Sequence, residues 1–298
     1  MKKYKNIAGD GGSNIVGQVE AQQARLRSRL AAVRRIVAVV SGKGGVGKSS
    51  VAANLAAAFA LSGWGVGVLD ADLNGPSIAK MLGIRGRVLS MGADGVEPPL
   101  SALGVKAMSM DLLLPGDATP LTWAATTQAE SHTWRGTMEA NALREFLSDT
   151  AWGVLDVLIL DLPPGTDRLA TVAGLVPALE GAVLVTIPSE VSHLIVKKSI
   201  TVARDAGVPV LGLIENMAGY ACPDCGAVNP LFSGPGGASL AAEFGIPFLG
   251  AVPFDPRMAA AADRGVAFVA AEAESPAARA LIAVAAALRA TLEPSGRA

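Results

Sequence analysis

One stretch constrains this chain more than any other: "IVAVVSGKGGVGKSS", Ile36 to Ser50. Five apolar residues run into a glycine-rich turn, and the turn runs into the helix-forming "VAANLAAAFALSG". That order predicts a buried strand, a tight loop and a helix. The loop fits G-x-x-x-x-G-K-[ST] from Gly42 to Ser49. Glycines leave room for backbone N–H groups to converge on phosphate oxygens, and the helix N-terminus adds its positive dipole end. In such a loop Gly44, Gly45, Val46, Gly47 and Ser50 wrap the phosphates. Lys48 reaches the β/γ-phosphates, and the Ser49 hydroxyl ligates Mg²⁺. The expected ligand is a nucleoside triphosphate with Mg²⁺.

The rest of the chain supplies partners for that first strand. "VGVLDAD", "VLILDLPPG", "AVLVTIPSE", "PVLGLIENM" and "PFLGAVPFDP" are short apolar runs ending in polar or turn residues. Helical stretches such as "NALREFLSDT" and "SHLIVKKSITVARDAG" separate several of them. Buried strands alternating with helices predict an α/β fold: a mostly parallel central β-sheet flanked by helices on both faces. This also accounts for 51% hydrophobic residues and a mean hydropathy of +0.41. No apolar run is long enough to span a bilayer; the richest, "VAANLAAAFALSGWGVGVLDAD", is broken by glycines and ends in acids.

Residues 1–35 are expected to form a flexible segment and a helix, with one ATPase domain over 36–298. The helix "QVEAQQARLRSRLAAVRR" is basic at Arg25, Arg29, Arg34 and Arg35 and reads as a solvated surface helix. The region from about 85 to 135 is a turn-rich insertion, with a strand near "GVKAMSM" and a mobile segment from Pro115 to Thr133. A net charge of −1 argues against a nucleic-acid-binding body. The C-terminal helix "SPAARALIAVAAALRATLEP" is too poor in cations for a membrane surface. No secretory leader is visible, and two cysteines build no disulfide framework, so the expected compartment is the cytoplasm.

Further residues fit phosphate chemistry. Asp161 ends "VLILD", the Walker B pattern, where a carboxylate orients Mg²⁺ or its waters. Gly165 makes the following loop pliable enough to sense the γ-phosphate. Asp70 and Asp72 end another strand; one can position the attacking water and the other support the Mg²⁺ shell. Lys43, inside the loop, cannot easily fold back onto its own γ-phosphate but can reach one bound by a facing subunit, which implies a nucleotide-bridged homodimer.

Cys222 and Cys225 form a CxxC pair in "NMAGYACPDCGAVNP", residues 216–230. Two thiolates alone complete neither a tetrahedral zinc site nor an iron–sulfur cubane. Three readings stand: a cluster shared across a two-fold axis, a zinc shared the same way, or a redox disulfide. A thioredoxin-like pair should open a helix, whereas this one follows a late strand and precedes the loop-like "AVNPLFSGPGG". His132 and His193 are isolated, Trp123 and Trp134 fall where packing is expected, and Met81, Met108, Met110 and Met217 are expected to fill core gaps.

"SGKGGVGKSS" with Lys43 resembles the deviant Walker A loop of the MinD/ParA-type ATPases. "DADLNGPSIAKMLG", "WRGTMEANALREFL", "DLPPGT", "ENMAGYACPDCG" and "FLGAVPFDP" together resemble the Mrp/ApbC-type (Nbp-type) iron–sulfur cluster carriers, from about Ile36 to Pro256. The resemblance implies that Lys43 acts across a dimer and that Asp72 positions the hydrolytic water. It makes Asp161 the Walker B acid and places adenine against Asn216 and the backbone around Pro253 and Phe254. It also implies that Cys222 and Cys225, with the same pair from a second subunit, hold a [4Fe–4S] cluster delivered to apo-proteins alongside cluster-assembly factors. Three positions depart from the family's pattern: the second glycine of DLPPGTGD is missing before Arg168, Thr137 replaces a proline, and Asn74 replaces an aromatic. The competing functions are a positioning ATPase with a Cys₄ zinc at the dimer interface, and a reductase that gates electron transfer with ATP.

Overall fold

The computed structural model describes residues 15–114, 128–176, 178–234 and 236–293. Helix α1 (Ile15–Leu30) precedes β1 (Ile36–Val40), α2 (Lys48–Leu61), β2 (Val66–Asp70) and α3 (Ile78–Met81). A small hairpin of β3 (Ser90–Gly92) and β4 (Gly95–Glu97) follows, then β5 (Lys106–Met108) and α4 (Gln128–Asp149). The second half alternates β6 (Val157–Asp161), α5 (Arg168–Leu175), β7 (Leu179–Thr186), α6 (Glu190–Asp205) and β8 (Val210–Ala221). It ends with β9 (Val228–Asn229), α7 (Gly237–Phe244), β10 (Phe248–Phe254), α8 (Arg257–Asp263), α9 (Phe268–Ala271) and α10 (Pro276–Leu292).

The main sheet has the order β10-β8-β7-β1-β6-β2-β5, and neighbours along it are parallel. From β1 the chain goes outward to β2, returns to insert β6, and then continues on the other side through β7, β8 and β10. Connections leaving β1 and β7 therefore diverge, and the crevice at their C-terminal ends is where such sheets bind ligands.

The central strands β1, β2, β6 and β7 are mostly apolar and buried because both faces of the sheet are covered. Side chains alternate between them: Val37 and Val39 of β1 face one core with α2 and α10, while Ile36, Ala38 and Val40 face the other with α4 and α6. Helix α2 is buried almost all round, and its alanines let it lie close to the sheet. Its buried Asn54 donates to Ser50 O (2.9 Å) and accepts from Val269 N (3.0 Å), tying the helix after the phosphate loop to α9.

Two expectations need correction. Helix α1 is not simply solvated: Leu26 and Leu30, four apart on one face, are buried against α4. Arg25 pairs with Asp149 (3.2 Å) and Arg29 Nε donates to Ser148 O (3.1 Å), so its basic residues partly serve docking. Residues 128–133, expected to be mobile, lie in α4; 115–127 fall outside the described residues. The predicted strand near "GVKAMSM" is β5. Among the described residues no helix is long and apolar enough to cross a membrane.

Candidate nucleotide and metal sites on one strand

The phosphate loop leaves β1 at Val40 and enters α2 at Lys48. Gly45 and Gly47 have φ of +80° and +77°, a region that favours glycine. A Cβ on Gly47 would also run into the carboxamide of Asn216. Lys48 is buried, with Nζ 2.5 Å from Asp161 Oδ1 and 3.2 Å from Ser49 Oγ. The sheet register explains the meeting, because Asp161 on β6 pairs with Val39 on β1. Burial pushes the Asp161 carboxyl above the ordinary range, opposed by Lys48 and the Ser49 hydroxyl. Its Oδ2 is buried with no hydrogen-bond partner. A strand-end carboxylate oxygen left unbonded beside the Ser49 hydroxyl fits the coordination shell of Mg²⁺.

The loop after β6 lies against the phosphate loop. Gly165 N donates to Ser41 O (3.0 Å), and Pro164 packs against Gly44. Lys43 is exposed beside Gly44 and Gly45, while Ser49 and Ser50 are half-buried.

The two acids after β2 separate clearly. Asp70 is wholly buried; its Oδ2 accepts from Ser77 N (2.8 Å), Ile78 N (3.0 Å) and Ser109 Oγ (3.2 Å). Those bonds hold the start of α3, so Asp70 acts as a cap for that helix. Burial and the neighbouring Asp161 push its carboxyl up to about 7, against the Ile78 and Ser77 amides and Lys48. Asp72 is half-buried at the crevice, with Oδ1 accepting from Gly75 N (3.2 Å).

At the other side of β1, Asn216 sits in β8, buried, and its Nδ2 donates to Val46 O (2.9 Å). The side chain expected to read adenine is therefore also a strut under the phosphate loop. Val252 of β10 pairs with Asn216, which brings Pro253 (buried) and Phe254 (half-buried) to the same end of the sheet. Glu215, unremarked in the sequence, accepts from Gly237 N (2.5 Å) and caps α7; burial raises its carboxyl.

Strand β8 then continues past the sheet. Between the pairs Val252–Asn216 and Phe254–Tyr220 it gains two residues over β10, and Met217 takes φ of +55°. Met217 is thus a left-handed residue in a bulge, not the core filler expected. The strand ends at Ala221 and turns through both cysteines into β9, which pairs antiparallel through Ala221–Val228 and Tyr220–Asn229. The stretch expected to be loop-like begins as the second arm of a hairpin. Cys222 N donates to Ala227 O and Gly226 N to Cys222 O, both at 2.9 Å, with Gly226 at φ +70°. Cys222 is half-buried and Cys225 exposed. The Cys225 and Asp224 amides hydrogen-bond the Cys222 sulfur and pull its thiol below the usual range, favouring the thiolate that binds metal. Among the described residues no three His, Cys, Asp or Glu side chains gather as a metal-binding group, so the hairpin offers two thiolates. His193 is buried on α6, with no place in either site, and the side chains of His132, Trp123 and Trp134 lie outside the described residues.

A phosphate loop at a sheet switch point, over a buried Lys–Asp pair and with a second lysine in the loop, defines a P-loop NTPase of the MinD/ParA class. The fold agrees with the septum site-determining protein MinD of Pyrococcus horikoshii complexed with Mg-ADP: TM-score 0.59, 21% identity, 89% of this chain and 99% of that one. Within that class the chain belongs to the NUBPL iron-transfer P-loop NTPases, whose family model matches residues 32–289. An iron–sulfur cluster carrier protein of Saccharolobus solfataricus is 45% identical over 260 residues, covering 87% of this chain and 84% of that protein. One from Methanocaldococcus jannaschii is 44% identical over 249 residues, covering 83% and 82%. The nucleotide-binding protein of Archaeoglobus fulgidus in complex with ADP superposes with a TM-score of 0.69 at 37% identity, over 82% of this chain and 92% of that one. These relationships favour the cluster-carrier reading over the positioning ATPase.

Proposed function

We propose that this chain is an ATP-dependent carrier that holds a [4Fe–4S] cluster between two copies of itself and passes it to apo-proteins in the cytoplasm. The observation that carries the reading is that Asn216, bonded to the phosphate loop, and Cys222, at the hairpin tip, belong to one continuous strand and its turn. Each copy contributes Cys222 and Cys225, and four thiolates satisfy a cubane. The apolar side chains of Val228, Leu231 and Phe232, exposed beside the hairpin, suit a surface that another chain covers.

On ATP binding, Lys48 leaves Asp161 for the β/γ-phosphates, and Asp161 and the Ser49 hydroxyl face Mg²⁺. Mg²⁺ bound there neutralises charge on the phosphates. Adenine lies by Asn216, Pro253 and Phe254. Asp72 orients the attacking water, and Lys43 reaches the nucleotide of the facing copy. Gly165 then moves with the γ-phosphate, while β8 passes the rearrangement to the hairpin.

The test is anaerobic reconstitution with iron and sulfide, followed by metal analysis and Mössbauer spectroscopy with and without MgATP. Expected are four irons per dimer, lost in Cys222→Ser. Zinc retained in place of iron, with no cluster transferred, would favour the positioning ATPase.

A further inference from the structure

Glu139 of α4 is buried and touches two loops that are far apart in sequence. Its Oε1 accepts from Asn74 Nδ2 at 2.9 Å, across 65 residues. Its Oε2 lies 2.7 Å from Arg168 NH1. Asn74 stands two residues after Asp72, in the loop leaving β2. Arg168 opens α5, three residues after Gly165, at the end of the loop leaving β6. Both partners sit where this sequence departs from the family pattern it resembles, so the two departures meet on one carboxylate.

The Glu139 side chain is 10% exposed and that of Arg168 31%. An ion pair so placed, with each carboxylate oxygen bonded to a different loop, resists separation more than a surface pair does. The cleft beside it, between Ala71, Leu143, Pro163 and Thr171, holds about 30 Å³, room for a water or two and no ligand. The arrangement is thus a clamp and not a binding site.

We propose that Glu139 is a positioning residue for ATP hydrolysis, fixing the loop that carries Asp72 against the loop that carries Gly165. This rests on the role given to Asp72. Water attack needs the base and the γ-phosphate sensor in register, and a misplacement near 1 Å can cost about a hundredfold in rate. With Asp167 where the second switch glycine is usual and Arg168 directly after it on Glu139, that end of the loop has less backbone freedom and a fixed charge contact. The clamp restrains that end of the loop, while Gly165 is held to the phosphate loop through its amide's bond to Ser41 O.

Steady-state ATP hydrolysis and loop hydrogen exchange test this. Glu139→Gln keeps the volume and an acceptor for Asn74 but loses the ion pair. Expected is a fall in kcat of about tenfold with KM for ATP within about twofold, the signature of lost positioning and not of lost binding. Arg168→Gln should match it, the double variant should be no worse than either single, and Arg168→Lys should recover most of the rate. Amide exchange in the nucleotide-free protein should quicken in both loops together, around residues 74–77 and 163–168. Additive losses, a rise in KM that accounts for the whole change, or exchange quickened in one loop alone would overturn the proposal. Asp72→Asn serves as the parallel arm. If it hydrolyses ATP like wild type, the role of Asp72 fails and the proposal falls with it. If it is inactive while Glu139→Gln is unimpaired, the clamp alone is wrong. Should Glu139→Gln melt early, the one-third-exposed Arg168→Gln carries the same test.

Discussion

The two halves of β8 differ in how fully the chain determines them. From Val210 to Asn216 the strand lies between β7 and β10, nearly all buried, and ends with Asn216 locked onto Val46. From Met217 to Ala221 it slips register with β10, passes through a left-handed residue, and finishes on a hairpin whose tip is open to solvent. The first half serves a site whose phosphate loop, Lys48, Asp161 and Ser49 hydroxyl all come from one chain, with Lys43 of a facing copy as the one proposed addition. In the proposed carrier the second serves a site that one chain leaves half-built, because two thiolates are half of what a cubane needs. The nucleotide site can therefore be rigid, while the cysteine site must adapt to whatever completes it.

The comparison breaks most visibly at its rigid end. Lys48→Ala removes the cation that meets the phosphates and strands the buried Asp161. ATP hydrolysis should fall by about a hundredfold or more, as when a key electrostatic donor is lost. Iron loading of the reconstituted protein should stay near wild type, measured as iron per chain. Loss of iron as well would mean that the two halves are not separable. Next comes the converse: Cys222→Ser should abolish cluster binding while leaving KM for ATP within about twofold, because among the described residues the backbone bonds of the hairpin tip stay within the hairpin.

A smaller effect concerns pH and the rigid side alone. Asp70 titrates near 7 in the folded chain, above the 3.8 of an ordinary aspartate. Between those values the folded chain holds a proton that the unfolded chain has lost, so stability falls as pH rises and levels off above about 7. Urea unfolding at pH 5, 6, 7 and 8 should show a decline on the order of 1 kcal/mol per unit up to neutrality, flattened in Asp70→Asn. An unchanged slope in that variant would assign the dependence elsewhere.

The same contrast governs what the sequence could disclose. The phosphate loop, Asp161 and the strand–helix alternation were legible because each obeys a short-range rule: spacing along a few residues fixes the backbone, and the backbone fixes the chemistry. The core-facing side of α1 was written in Leu26 and Leu30, but its many arginines masked it. Asn216 as a strut, Asp70 as a cap for α3 and Glu139 as a clamp depend on contacts across 170, 8 and 65 residues. Only the Asp70 cap had a nearby signal, the acid before the helix start at Ile78. The hairpin around the cysteines escaped because β9 is two residues long, too short for any alternation to register.

The smallest expected effect falls on the joint between the halves. A left-handed conformation costs a residue with a Cβ roughly 1–2 kcal/mol, and Met217 adopts φ of +55° where the strand changes register. Met217→Gly removes that strain but adds unfolded-state entropy of about 0.5–1 kcal/mol, so the two nearly cancel. Stability measured by urea unfolding should stay within about 1 kcal/mol of wild type, by the same balance. Coupling should not. A residue held in a costly conformation resists bending and carries displacement from Asn216 toward Cys222; glycine there absorbs it. The acceleration of cluster release by MgATP, measured as the ratio of transfer rates with and without nucleotide, should shrink by about twofold to threefold, which corresponds to less than 1 kcal/mol of coupling. An undiminished ratio would mean that the nucleotide acts on the cysteines through the facing surfaces of the dimer and not along β8.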